Sequence, residues 1–433
     1  MFGSLNLLVR QNIGRIQDYA TLLGGSVGRL VISLGYFIAI ANSLAVEDFG
    51  LFATASAVGI ILSRLVAFGF ASPMYRIATS KRRLLGVYTP GLIVGSILSL
   101  PVISIIAYAV YIIIFADEMS LIAFMCIVFA EVIFWRAMEI TTIILNGLYR
   151  FAAGSILVII ATIMKMLAAF AFAFAFAFAF ASDNSIEQWG IYYIFANAVS
   201  AVIALVFYYP RVKMRWCLKM YLARWVDSLA VASSEIVYYA QAEFDKILVL
   251  AIGGPQIAGV YAILMRLVDI TALPIRSLFM LIIQQIMRTK ATIQSLKYRV
   301  IFEAAIAFIS LAGILALALI KWLFPNILGE NVAEISPYLI MVLLVPVFRN
   351  LTEYHSELLY AVNRTLLRTA NAAIIGFMKV CFLSWILLMF AEDDNWFIML
   401  NVMFGFLYLT SLLLTYPAMR SVAPIIKKTA PGD

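Results

Sequence analysis

The chain has 433 residues, of which 64% are hydrophobic and 12% charged, with a mean hydropathy of +1.01. A water-soluble domain carries about twice that charged fraction, so polar surface is too scarce to cover soluble domains of this length and the remaining solvent is lipid. The net charge of +8 does not indicate nucleic acid, because most basic residues fall between apolar runs, and three scattered cysteines exclude a disulfide framework.

In chain order, residues 1–23 hold no apolar core of signal-peptide length. There Leu8, Ile13, Ile16 and Tyr19 interleave with Arg10, Arg15 and Asp18, which predicts a short cytoplasmic helix lying on the membrane surface. Beyond it the pattern predicts an all-α, polytopic membrane protein of about 12 transmembrane helices in two pseudo-symmetric six-helix lobes. The first lobe (24–210) has spans at 24–45, 51–71, 84–115, 119–146, 151–181 and 188–209. A basic cytoplasmic linker (211–225) leads to the second lobe (226–417), with spans at 226–252, 255–287, 300–324, 335–362, 367–390 and 396–417, and a cytoplasmic tail (418–433). Several exceed the roughly 20 residues a span needs, so they tilt, protrude, or kink at Pro90, Pro101, Pro274 or Pro346. The run Phe170–Ala181 alternates with period two as a strand would. An unpaired strand in lipid leaves its backbone unsatisfied, so a helix with phenylalanines on two opposed faces is expected instead.

Alternate loops divide cleanly by charge. One set carries Lys81, Arg82 and Arg83, then Arg150, then Arg211, Lys213 and Arg215, then Lys290 and Lys297, then Arg364 and Arg368. The opposite set has no Lys or Arg and holds Glu47, Asp48, Asp117, Glu118, Asp183, Glu330 and Asp393. The positive-inside rule therefore places both termini in the cytoplasm. A short repeat supports the two lobes: Gly50-Leu51-Phe52-Ala53 opens the second span and Gly259-Val260-Tyr261-Ala262 the eighth. With six helices each, the halves share an orientation and are related by an axis along the membrane normal.

Ionisable groups within spans are costly and mark functional candidates. The first lobe has Arg29, Arg64, Arg136 and Lys165 against Glu131 and Glu139. Arg136 can pair with Glu139 one turn on. Arg29, Arg64 and Lys165 have no acidic residue three or four positions away, so each needs another helix, water or an anionic ligand; Arg29 is also near enough to the cytoplasmic edge to snorkel. The second lobe mixes Lys246, Arg266, Arg276, Lys321, Arg349 and Lys379 with seven carboxylates. On the seventh span Glu235, Tyr239, Glu243 and Lys246 share one face, and Tyr238, Gln241 and Asp245 the adjoining one. Glu235, Glu243 and Asp245 are candidates for coupling to a proton or sodium gradient, and a charge-paired structural role is the competing reading. A basic first lobe beside a carboxylate-rich second one suits an anionic substrate in one and a cation site in the other. His355 stands without metal-ligand neighbours, no Walker-A loop is present, and no outer loop offers room for an active site, so no enzyme and no cofactor is expected.

The stretch Leu44-Ala45-Val46-Glu47-Asp48-Phe49-Gly50-Leu51-Phe52-Ala53, leading to Leu65-Val66-Ala67-Phe68-Gly69, resembles the early helix pair of bacterial polysaccharide repeat-unit flippases of the Wzx type. So do Ala242-Glu243-Phe244-Asp245-Lys246-Ile247-Leu248-Val249-Leu250, Ile257-Ala258-Gly259-Val260-Tyr261 and Met265-Arg266-Leu267. Those flippases belong to the multidrug/oligosaccharidyl-lipid/polysaccharide exporter superfamily. The resemblance implies alternating access by two lobes in the bacterial inner membrane and export of an undecaprenyl-diphosphate-linked glycan. It also implies membrane lipids, a polysaccharide polymerase and a chain-length regulator as partners. In the relatives, arginines of the early helices and of the eighth line a basic cavity for the diphosphate, and Arg29, Arg64 and Arg266 sit comparably here. Two other readings compete: a multidrug or organic-cation antiporter of the same superfamily, and, more distantly, a membrane polymerase or glycosyltransferase. A cation exporter needs a carboxylate-dominated first lobe, and a polymerase needs catalytic groups in a sizeable outer loop.

Overall fold

The computed structural model describes residues 28, 31–178, 185–288, 296–324, 328–362, 364–390 and 395–420. The predicted surface helix within 1–23, Arg29, and the tail beyond 420 lie outside the described residues. The first lobe comprises α1 (Val31–Ser43), α2 (Val46–Ser63), α3 (Arg82–Phe115), α4 (Leu121–Gly147), α5 (Phe151–Phe178) and α6 (Ile186–Tyr208). The second comprises α7 (225–253), α8 (255–288), α9 (Leu296–Leu323), α10 (Val345–Ala361), α11 (Thr365–Phe390) and α12 (Asn395–Arg420). Helices α7 and α8 run on through Trp225–Arg288 and separate at Gly254, the one residue there with a non-helical backbone (φ 78°). Two short helices, Glu330–Ile335 and Tyr338–Met341, lead into α10. Most of the described spans agree with the predicted ones to within a few residues; the second ends at Ser63 rather than 71, and the tenth becomes continuous only at Val345, after the short helix Tyr338–Met341. The protein is a multi-pass membrane protein.

The packing repeats between lobes. Helix α4 packs on α6 as α10 packs on α12, and α5 on α6 as α11 on α12. Phe52 of α2 lies edge-on to Trp189 of α6 with centroids 5.6 Å apart, and Tyr261 of α8 stacks on Trp396 of α12 at 6.3 Å. The repeat therefore extends to an aromatic partner on the sixth helix of each lobe, which the sequence comparison alone did not show.

The lobes meet chiefly where α2 runs along α7 and α8. A Cβ on Gly50 would overlap Gly259 N and Pro255 O, and one on Gly259 would overlap the Val46 carbonyl. The first glycine of each repeat thus faces the other across the pseudo-axis, and only a hydrogen at both positions lets the backbones approach this closely. A second contact seals the same end of the seam, the outer one in the orientation that the loop charges predict. Asn42 donates to Leu328 O at 2.8 Å and accepts from Asn331 N at 3.1 Å, while Asn331 Nδ2 donates to Ala41 O (2.8 Å) and Leu44 O (2.9 Å). Gly329 makes this turn possible, with a left-handed backbone (φ 82°) and no side chain to strike Asn42.

The second predicted span, 51–71, is not one helix. It stops at Ser63, passes through left-handed Ala67, Phe68 and Gly69 (φ 51°, 50° and 79°) and resumes as Ala71–Ser80. No proline lies within the break itself, and Pro73 sits in the first turn of the resumed helix, where it is tolerated. Gly69 lies against Ala232 and Ser228 of α7, and the irregular turn is held because the Ala67 N–H donates to Ser99 Oγ of α3 at 3.1 Å. Broken backbone at membrane depth is stable only where protein supplies such partners. Of the predicted proline kinks, Pro90 and Pro101 lie inside continuous helix, as does Pro274, while Pro346 sits in the first turn of α10, where its missing N–H costs nothing. In the alternating run, Phe170 and Phe174 are exposed and Phe172 is buried against Trp189 and Tyr192, as helical opposed faces require.

Candidate functional site

Two cavities open along the α2–α7 seam. The outer one, about 310 Å³, is walled by aromatic rings, among them Tyr36, Phe49, Phe52, Trp135 and Tyr193, with Lys165, Lys246 and Arg266 facing Glu131, Glu243 and Asp269. The inner one, about 240 Å³, brings together Arg64, Arg136 and Arg368 with Glu139, Glu235, Tyr238 and Tyr239.

Helix α4 reaches both cavities because it is not regular. Residues Ala130–Trp135 form a π turn. In an α-helix, at about 100° per residue, residues five apart diverge by about 140°; a wider turn draws them towards one side. Glu131 and Arg136 are thereby both buried on the seam, one serving each cavity. Such turns often mark functional positions.

In the outer cavity Glu131 accepts from Tyr193 and from Ser56 Oγ (3.1 Å). Lys165 lies 3.8 Å from the same carboxylate, donates to Tyr193 at 3.0 Å and sits 4.0 Å over the Trp135 ring. Lys246 pairs with Glu243, and Arg349 of α10 reaches Asp269 at 2.8 Å. Arg266 differs: its Nη2 crosses the seam to Ser33 Oγ at 3.0 Å, and it makes no ion pair among the described residues.

In the inner cavity Arg64 donates to both oxygens of Glu139 at 2.9 Å and stacks 3.8 Å from the centre of the Tyr239 ring. Arg136, fully buried, holds Glu139 at 2.7 Å and Glu235 of the other lobe at 3.2 Å. Arg368 pairs with Glu357 at 2.8 Å.

The expected pairing of Arg136 with Glu139 is present, and the partner Arg64 required comes from another helix. Of the four residues predicted to share one face of the seventh span, Glu235 and Tyr239 line the inner cavity and Glu243 and Lys246 the outer one, while Tyr238, predicted on the adjoining face, lines the inner cavity as well. Asp245 points away into the second lobe, where Lys379 reaches it at 2.7 Å and the Tyr261 hydroxyl at 2.7 Å. Glu235, Glu243 and Asp245 therefore occupy three separate environments. Arg64 and Arg266, which the resemblance sets with Arg29 as lining one basic cavity, line different cavities. Arg368, assigned by sequence to a loop, lies in the first turns of α11 and lines the inner cavity; its proximity to the loop charges concealed it.

No family model and no curated protein matches the sequence. Solved structures do match in fold. Lipid II flippase MurJ, in an inward closed conformation, superposes with a TM-score of 0.65 at 14% identity, covering 90% of this chain and 87% of its own. A multidrug resistance MATE family transporter of the MOP superfamily, inward-facing, gives 0.57 at 12%, covering 92% and 98%. A MOP superfamily transporter from Pyrococcus furiosus, described as having a binding pocket of reversed polarity, gives 0.54 at 13%, covering 92% and 95%. Across nearly its whole length, this chain shares the fold of these transporters.

Proposed function

We propose that this protein is a transporter that flips an undecaprenyl-diphosphate-linked oligosaccharide repeat unit from the cytoplasmic to the periplasmic leaflet of a bacterial inner membrane, by alternating access and for cell-surface polysaccharide synthesis. The observation that carries this reading is the placement of guanidinium groups along the seam. Arg266 faces the outer cavity with a hydroxyl for its partner, and in the inner one Arg64 and Arg136 share Glu139 while Arg368, paired with Glu357, lines the same space. A diphosphate fits such groups because planar donors grip its oxygens in pairs, and it competes with Glu139 for Arg64 and Arg136. The outer end is sealed by contacts between the lobes while the second cavity lies inward of it, which suits loading from the cytoplasm.

A specific observation favours a second reading. The outer cavity balances three cations with three carboxylates and is lined with aromatic rings, chemistry that also suits an organic cation. Purified protein in vesicles, supplied with a fluorescent undecaprenyl-diphosphate oligosaccharide or with ethidium, separates the two. The flippase reading expects lipid translocation, reduced about tenfold by Arg266→Lys, the factor given by ~1.4 kcal/mol, and little ethidium transport. Ethidium transport without lipid movement would establish the antiporter instead.

A further inference from the structure

The second lobe contains a polar cluster that lines neither seam cavity. His355 of α10, the single histidine of the chain, is fully buried and stacked on Tyr408 of α12 at 5.5 Å. Its Nε2 lies 3.1 Å from Glu303 Oε1 of α9. Glu303 also accepts from the hydroxyls of Tyr408 (3.1 Å) and Tyr416. On the other side of the ring, Nδ1 lies 3.2 Å from Ser411 Oγ, which accepts from Asn371 Nδ2 of α11 at 3.2 Å. Asn371 is buried, its Oδ1 has no protein partner, and it borders a cavity of about 90 Å³ shared with Gln241, Glu353 and Lys379. Tyr238 and Ala372 belong both to that cavity and to the inner cavity of the seam.

We propose that Glu303 and His355 form a proton-binding site of the second lobe, linked through Ser411 and Asn371 to the lobe interface. The inference uses the transporter reading for the site's purpose, while proton binding itself stands apart from it. The hydrogen bonds accommodate both protonation states without moving a heavy atom. In the neutral state Nε2–H donates to Glu303 and Nδ1 accepts from the Ser411 hydroxyl. A proton from water adds to the Nδ1 lone pair, giving an imidazolium that donates to Glu303 on one side and Ser411 on the other. The serine hydroxyl then turns its hydrogen to a carbonyl one turn back, as helix serines do. No covalent bond between heavy atoms changes, and the proton returns to water by the reverse path. The Glu303 side chain is 18% exposed, so the carboxylate connects the buried ring to the protein surface.

The groups around the ring suit a switchable charge. From α9 come Glu303 and Arg299, whose guanidinium lies 4.7 Å over the Tyr416 ring. Tyr354 comes from α10, Tyr408 and Tyr416 from α12, and Asn371 from α11; α8 adds the apolar Ile275 and Phe279 to the same core. Among the described residues, Glu303 is the carboxylate in contact with the imidazole, so charging the ring creates an ion pair between α9 and α10 that the neutral state lacks. That change acts on four helices of one lobe and ends at the seam.

A single histidine makes the test direct. Protein purified without a histidine tag and labelled with 15N-histidine gives one imidazole to follow by NMR in nanodiscs. The ring is expected to pass from the Nε2–H tautomer to the doubly protonated form as the pH is lowered, a change that the two 15N shifts report directly. Glu303→Gln should lower the midpoint by at least about one unit, the removal of ~1.4 kcal/mol of charge stabilisation. Should that variant fold poorly, Glu303→Asp keeps the charge at greater distance and should lower it less. A ring that stays neutral throughout, or a midpoint unmoved by both substitutions, overturns the site. Translocation assays on the same preparations keep the readings apart: a titrating ring in a protein that moves no lipid-linked glycan upholds the proton site and overturns the proposed function.

Discussion

Arg136 shows what was and was not legible at the scale of single residues. Its pairing with Glu139 follows from three-residue spacing on one helix, but its contact with Glu235 joins residues 99 positions apart and no local pattern encodes that. The same limit explains why the first lobe reads as unbalanced in sequence: a carboxylate of the second lobe completes its charge. Asp245 shows the converse, since its helix face was legible but its Lys379 partner was not. Arg136 has no exposed side-chain surface, so its loss leaves two carboxylates facing each other beside the Arg64 guanidinium. Arg136→Met is therefore expected to lower stability by about 3–5 kcal/mol, the cost of breaking a buried pair. Arg224→Ala, which removes a pair whose members are both more than half exposed, should change nothing measurable. The fraction of monodisperse protein surviving a heating series in detergent reads both. Equal survival of the two variants would count against a tightly held cluster at the seam.

At the scale of elements, hydropathy located the spans well because lipid imposes the same length on every crossing. Irregularities inside them were not legible. The left-handed break after Ser63 is fixed by Ser99 and by α7, and the π turn in α4 carries no proline or glycine to announce it. The alternating run in α5 was legible because helix geometry alone decides which rings share a face. Phe172 packs on Trp189, whereas Phe174 faces outward. Phe172→Ala should cost about 3–5 kcal/mol, as large-to-small changes in packed cores do, and Phe174→Ala should be close to neutral. Thermal unfolding followed by tryptophan fluorescence would distinguish them, and similar midpoints would mean that Phe172 is not packed as described.

For the whole molecule, loop charge predicts the orientation, and a four-residue repeat anticipated where the lobes meet, because a symmetry axis must bring equivalent residues together. In a variant lacking the native cysteines, a membrane-impermeant maleimide should label Asp117→Cys in intact cells and should not label Arg215→Cys. Labelling at 215 from outside would reverse the orientation. The same reagent, applied to Ala258→Cys, reads the outer seal, where Ala258 is buried beside Gly259. That seal is made of amide and carbonyl groups and of glycine contacts, with no ion pair between its asparagines and the opposite lobe. In the orientation that the loop charges predict, it meets whatever salinity and acidity the surroundings impose, and neutral hydrogen bonds neither titrate nor suffer the screening that weakens exposed ion pairs. Labelling of Ala258→Cys should accordingly stay constant from dilute buffer to molar salt. Under the transporter reading this contact is the outer door, and because its own hydrogen bonds carry no charge, the decision to open it falls on that reading to ionisable groups elsewhere in the protein.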